Sequence, residues 1–197
     1  VLVASAEQGF LYLYLKGFLP KGQFQSVSPC FRDESFDSWH TKYFIKNELI
    51  KTDFTDDKNL HLTLKFLGEI DNDKIDNVKN RLKNLVFPEV YCELGDIGVF
   101  SDKLLRIIWI KVDGKVIDLQ KELDIILEDL FDKEKRFMSH ATIARIKYVK
   151  NKNKFFHILK EINVNNIKFC AKEFSLMESK LNSNGVVYRE LEKYRLK

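Results

Sequence analysis

Two short segments of this chain carry the same pattern, and they constrain its fold more than anything else in the sequence. One is His61-Leu62-Thr63-Leu64, the other His140-Ala141-Thr142-Ile143. In each, a polar and an apolar residue alternate, as in a strand with one face on a core and one face open. A helical pattern follows each. Residues 72–86 place Ile75, Val78, Leu82 and Leu85 on one stripe, with Asn72 or Asp73 as the expected N-cap. Residues 152–162 repeat the arrangement after the second segment. The histidines are 140 − 61 = 79 positions apart, close to half of the region from residue 59 onward. A strand–helix unit that recurs at half-length predicts a pseudo-twofold fold with one polar-faced strand per lobe.

The rest of the chain fills in that plan. LYLYL at 11–15 reads as a strand or a short helix, residues 18–34 as a turn leading into extended chain, and 42–53 as a strand. Residues 89–100 and 104–112 read as strands, the latter closed by Asp113-Gly114. Residues 116–131 read as a helix burying Leu119, Leu123, Ile126, Leu127 and Leu130. Residues 167–181 and 186–196 read as two closing strands around an Asn182–Gly185 turn. From residue 59 the expected order is β α β β α β α β β. That order predicts an α+β fold with antiparallel sheet.

On a strand, residues i and i+2 share a face. His61 and Thr63 therefore point one way and Leu62 and Leu64 the other, and His140 and Thr142 repeat this. If the two strands are neighbours, two imidazoles and two hydroxyls line one site. That set suits opening of a cyclic phosphodiester. One imidazole takes a proton from water and the other gives one to the leaving ribose oxygen, each transfer worth roughly 10²–10⁴ in rate. Threonine hydroxyls donate to the phosphate oxygens where charge builds. Lys65 shares the ideal-strand face of His61 and is a further phosphate candidate. Arg145, three residues after Thr142, falls on the opposite face of an ideal strand and is the weaker one. The scheme needs no metal and no cofactor, and no ligand-spaced cluster stands beside either histidine.

Charge and cysteines narrow the partners. The net charge is +4, with 33 Lys+Arg against 29 Asp+Glu. Residues 1–60 hold 7 basic and 8 acidic residues, so the remaining 26 and 21 carry +5. Attraction for a polyanion therefore belongs to residues 61–197. Cys30, Cys92 and Cys170 are odd in number and far apart, which fits a reducing compartment and a cytoplasmic location. The opening VLVASAEQGF has no basic n-region, and no apolar run is long enough for a bilayer, so neither secretion nor membrane insertion is expected. A first residue of Val1 suggests a fragment or a processed product. Trp109 and the phenylalanines are candidates for base stacking, with core packing favoured for Trp109. His40 and His157 are expected outside the chemistry, His157 as a structural residue beside Phe155 and Phe156. The basic runs 79–83 and 147–154 are read as solvated, with RNA contact as the alternative.

HLTLKFLGE (61–69) and SHATIARIK (139–147) resemble the paired motifs of the two-histidine phosphoesterase superfamily. The nearest resemblance is to the RNA 2′,3′-cyclic phosphodiesterases, also called 2′-5′ RNA ligases. It spans about residues 54–197 and includes IGVF (97–100), LRIIWIKV (105–112) and SKLNSNGVVYREL (179–191). It implies a bilobal fold with antiparallel sheets lining a central cleft and helices outside, in which His61 protonates the 3′ leaving oxygen and His140 activates water. Thr63 and Thr142 would hold the phosphate, and the product would be a 2′-phosphate. A weak reverse ligation of RNA, a monomeric enzyme and RNA or oligonucleotide substrates such as tRNA fragments are also implied. The alternatives are a phosphodiesterase of a small cyclic or 2′-5′-linked nucleotide, and a non-catalytic RNA- or tRNA-binding module.

Residues 1–53 differ from that pattern. SAEQGF (5–10) and CFRDESFDSWHTKYFIKNEL (30–49) resemble part of a class II aminoacyl-tRNA synthetase, in which Arg32 would contact ATP phosphate and Glu34 the substrate. About 50 residues are too few for that catalytic domain, so no synthetase activity is expected. The expectation is an N-terminal extension over 1–53, either a fusion remnant or a segment whose strands replace the missing first strand of the N-terminal lobe, and a phosphodiesterase domain over 54–197.

Overall fold

A computed structural model of the 197-residue chain describes residues 10–15, 49–55, 59–162, 167–182 and 185–197. Cys30, Arg32, Glu34, His40 and the turn expected over 18–34 lie outside the described residues. The elements are β1 (Phe10–Leu15), β2 (Ile50–Phe54), β3 (Leu62–Gly68), α1 (Asn72–Leu82), β4 (Val90–Val99), β5 (Ile107–Gly114), α2 (Val116–Ile126), β6 (His140–Val149), α3 (Lys152–Glu161), β7 (Lys168–Ala171), β8 (Glu173–Asn182) and β9 (Gly185–Arg195). The fold is α+β, as the patterning predicts.

The strands form one antiparallel sheet in the order β7-β4-β5-β6-β3-β1-β8-β9, with β2 alongside β6. The two halves meet at β3 and β6, where a single residue pair, Leu62 opposite Ala141, joins them. Beyond that pair the strands part. β3 continues against β1, and β6 continues against β2 through Ile50–Phe54. Phe10–Leu15 is thus a strand rather than a helix, held between β3 and β8.

The helices cover the sheet face opposite the histidines. Leu62, Leu64 and Ala141 pack in one core with Val78 and Leu82 of α1 and Leu119 and Leu123 of α2. Ile143, Ala144 and Ile146 pack in a second core with Phe155, Ile158 and Leu159 of α3. Helix ends follow local chemistry. The cap of α1 is Asp71, one residue before the expected Asn72, and its carboxylate accepts from the Lys74 amide at 2.7 Å. Asn151 caps α3, accepting from the Lys154 amide at 3.0 Å.

One expected strand is two. Residues 167–181 break at Lys172 into β7, which pairs with β4, and β8, which pairs with β1. The chain crosses there from one end of the sheet to the other half, and the Lys172 carbonyl accepts from the Leu196 amide at 2.8 Å. β7 alternates, with Phe169 and Ala171 buried, whereas β8 buries Phe174 to Met177 in a run.

Candidate active site

His61 immediately precedes β3 and His140 opens β6. Continuing the Leu62–Ala141 pairing by one residue each way sets His61 opposite Thr142 and Thr63 opposite His140. All four side chains then share the face that Leu62 and Ala141 turn away from, and all four are half-buried. The two imidazoles are diagonal neighbours across the strands, a relation that separates residues by roughly 7–8 Å, and their β-carbons by somewhat less.

The imidazoles are held in the same way. His61 Nδ1 lies 2.6 Å from the carbonyl of Asn59, and His140 Nδ1 lies 2.7 Å from the carbonyl of Met138. A carbonyl only accepts, so each Nδ1 carries the proton and donates. The neutral ring then keeps its lone pair on Nε2, the nitrogen that can take up or release a proton. An aromatic ring borders each. Tyr188 of β9 lies 6.0 Å from His61, and Phe100, just after β4, lies 4.9 Å from His140, edge to face.

The charges differ. Burial pushes the His61 pKa below its ordinary value, and the positive charges of His140 and Arg145 push the same way, against the raising effect of the Asn59 carbonyl. His61 therefore feels both His140 and Arg145 directly.

Arg145 reaches the site because β6 is not ideal. Its ladder with β5 skips Ile143: Trp109 pairs with Thr142 and Ile108 with Ala144. This bulge turns Ile143 and Ala144 both toward the helices, where both are buried, and returns Arg145 to the histidine face, exposed. Strand β3 has the same irregularity. Its ladder with β1 skips Leu64, with Tyr14 opposite Thr63 and Leu13 opposite Lys65. Leu64 and Lys65 therefore both face the core, and Phe66 faces out, 70% exposed. Each bulge falls three residues after a histidine, so the pseudo-symmetry extends to the defect itself.

The bulge corrects the placement of Lys65. Expected beside His61, it lies on the opposite face, 3% exposed. Its ammonium is bonded to the Asp124 carboxylate of α2 and donates to the Asp132 carbonyl at 2.7 Å. Gln120 and the Glu134 amide also donate to Asp124, at 2.7 and 3.0 Å. Sequence reasoning missed this buried polar node. Its signal was two polar residues four apart, Gln120 and Asp124, on the stripe of a helix read as apolar.

Further residues share the site face through the β5–β6 ladder. Lys111 stands opposite His140 and is paired with Asp113 at 2.7 Å. Trp109 stands opposite Thr142, in place to floor the site rather than to sit wholly in the core. Farther out, a depression of about 430 Å³ is lined by Tyr91, Glu93, Asp113 and Lys168 among others, and contains none of the four motif residues. His157 is exposed and pairs with Glu161 at 3.2 Å. Cations of the two basic runs are largely engaged: Arg81 with Asp129, Lys83 with Glu192 and Lys147 with Asp53. Among the described residues no three His, Cys, Asp or Glu side chains gather closely enough to hold a metal ion. None of the described helices is long and apolar enough to cross a membrane.

The LigT like Phosphoesterase family matches this chain twice, over residues 37–109 and 110–188, so each match holds one histidine motif. The chain belongs to that family. Curated relatives agree. The RNA 2′,3′-cyclic phosphodiesterase of Methanocaldococcus jannaschii is 35% identical over 141 residues, covering 70% of this chain and 80% of that protein. The protein of the same name from Thermotoga maritima is 30% identical over 141 residues, covering 68% and 74%. Among solved structures, TT0787 of Thermus thermophilus superposes with a TM-score of 0.70 at 21% identity, over 95% of this chain and 97% of that one. E. coli LigT complexed with 3′-AMP superposes at 0.67 and 21% identity, over 97% and 99%. At those identities the superpositions establish the fold, and the family match establishes a phosphoesterase.

Proposed function

We propose that this phosphoesterase opens 2′,3′-cyclic phosphates at RNA ends by acid–base catalysis between His61 and His140. Water bound at His140 Nε2 attacks phosphorus while the imidazole takes its proton. The P–O3′ bond breaks, His61 gives its proton to the 3′ oxygen, and a 2′-phosphate leaves. Thr63 and Thr142 donate to the non-bridging oxygens, and Arg145 offsets the charge that develops there. Ligation would follow the same course with a 5′-hydroxyl in place of water: its oxygen attacks the cyclic phosphorus, the P–O3′ bond breaks, and a 2′-5′ linkage forms through the same two proton transfers. The reading takes RNA ends, tRNA fragments among them, as substrate, and a monomer acting in the cytoplasm. It treats residues 54–197 as the catalytic domain, to which the 1–53 extension lends β1.

The observation that supports it most is the meeting of the two motifs at Leu62 and Ala141, with both Nδ1 atoms tied to carbonyls two residues back. A core histidine needs no such matched partner. The test is an oligonucleotide ending in a 2′,3′-cyclic phosphate, incubated with the protein in EDTA. A 2′-phosphomonoester is expected, and none with His61→Ala or His140→Ala. Full turnover by either variant, or a 3′-phosphate product, would overturn the assignment.

A further inference from the structure

One buried hydroxyl adjoins the site and has no part in the two proton transfers. Ser139 precedes His140, is 8% exposed, and donates through Oγ to the Val112 carbonyl at 2.6 Å. The Val112 amide in turn donates to the Ser139 carbonyl at 3.1 Å. These two residues continue the β5–β6 ladder beyond the pair Ile110 and Ala141. A regular hydrogen-bonded pair of an antiparallel sheet exchanges two amide bonds. Here the Ser139 hydroxyl makes the second bond in place of the Ser139 amide. That amide belongs to the same peptide unit as the Met138 carbonyl, which accepts from His140 Nδ1 at 2.7 Å. The unit is trans, so its N–H and C=O point in opposite directions. An amide aimed along the sheet at Val112 would send the Met138 carbonyl along the sheet the other way. A carbonyl turned onto an imidazole of the site face takes the amide off Val112.

We propose that Ser139 is a positioning residue for His140. Its hydroxyl takes over the ladder bond to Val112, which frees the 138–139 peptide to turn its carbonyl onto Nδ1. The proton then stays on Nδ1 and the lone pair on Nε2, where a base must carry it. This deepens the function proposed above and rests on it for the role of His140. The other half manages without the device. Leu60 precedes His61 and has no hydroxyl; it is buried in the second core, and His61 Nδ1 still meets the Asn59 carbonyl. The effect of Ser139 is therefore confined to His140.

The test is Ser139→Ala, which removes one oxygen and adds no bulk. The amide of residue 139 then regains the Val112 carbonyl, and the Met138 carbonyl turns away from the imidazole. Nitrogen NMR of the neutral rings should show His140 shifting toward the tautomer with its proton on Nε2, while His61 keeps its own. On an oligonucleotide ending in a 2′,3′-cyclic phosphate, kcat should fall by up to about 100-fold, the effect of a misplacement of about 1 Å, with KM unchanged. Ser139→Thr keeps the hydroxyl and should keep both the tautomer and kcat. An unchanged His140 tautomer in Ser139→Ala would overturn the proposal, even if the variant melts lower, since the hydroxyl would then serve the fold alone. An unchanged kcat, a loss confined to KM, an equal shift in His61, or the same tautomer change in Ser139→Thr would overturn it too. A wild-type protein inactive on the oligonucleotide would defeat the functional reading, and the NMR arm, which needs no turnover, would then decide this one alone.

Discussion

Replacing Lys65 by Met separates two readings of the same residue. If Lys65 faced the phosphate, the change would weaken substrate binding and leave the fold intact. Its burial and its bond to Asp124 predict the reverse. Asp124 is 6% exposed, so losing the ammonium leaves a carboxylate out of water with only Gln120 and the Glu134 amide as donors. Breaking a buried pair from one side costs about 3–5 kcal/mol. For a domain of this size each kcal/mol moves the melting temperature by roughly 2–4 °C, so Lys65→Met should melt about 6–20 °C below the wild type.

The pH dependence supplies a second check. Burial raises the Asp124 pKa, but the bonds from Lys65, Gln120 and the Glu134 amide outweigh it, and the net shift is downward. A carboxylate with a depressed folded pKa stabilises the fold above its unfolded value, and that contribution fades as pH falls through the folded one. Without Lys65 the burial effect dominates and protonation relieves the orphaned charge. The deficit of Lys65→Met should therefore be largest near neutral pH and shrink toward about pH 4, the ordinary carboxylate range. Urea denaturation at the two pH values measures it, and Lys65→Met/Asp124→Leu should regain most of the loss. A Lys65→Met protein that melts like the wild type and binds phosphate weakly would refute the placement.

Three further outcomes follow from the site. Arg145→Leu removes a positive charge that disfavours the His61 imidazolium, so the His61 pKa should rise, read by NMR titration of its ring protons; an unchanged value would place Arg145 away from His61. The free-enzyme profile of kcat/KM should be bell-shaped, with a limb set by a His61 that titrates below its ordinary value, and Arg145→Leu should move that limb to higher pH. Gly98→Ala drives a Cβ to within 2.4 Å of the Trp109 ring, and its overpacking cost of about 1–3 kcal/mol should appear in a denaturant melt.

Much of this was legible in the sequence because it is written in periods. The alternation through His61–Leu64 and His140–Ile143 gave the strands, the face and the pairing of the motifs. The stripes of Val78 and Leu82, and of Leu119 and Leu123, gave helices that the cores confirm. What stayed hidden are departures from period. A bulge shifts every later side chain to the other face, yet it leaves no compositional mark in Leu64-Lys65 or Ile143-Ala144. So the ideal-strand argument put Lys65 in the site and Arg145 outside it, and the bulges exchange them. The crossing at Lys172 escaped for the same reason, since the residues on either side remain good strand formers.

The same defect bears on how two near-identical histidines divide their labour. Both are tethered through Nδ1 to the carbonyl two residues back, so the local backbone gives neither one a distinct role. The difference lies five residues on, where the matched bulges expose Phe66 in one half and Arg145 in the other. Because the strands run antiparallel from the Leu62–Ala141 pair, the side chain that follows His140 lies toward His61. Its charge makes the His61 imidazolium the more willing to give up a proton, while Phe66 brings no charge to the half that holds His140. A donor must release its proton to a departing ribose oxygen, and an acidified imidazolium does so with the lower barrier. The proposed assignment of His61 as acid and His140 as base then rests on one cation. Exchanging the charges, with Phe66→Arg and Arg145→Phe together, should raise the His61 pKa. NMR titration of the His61 ring checks it, and an unchanged value would show that the asymmetry has another source.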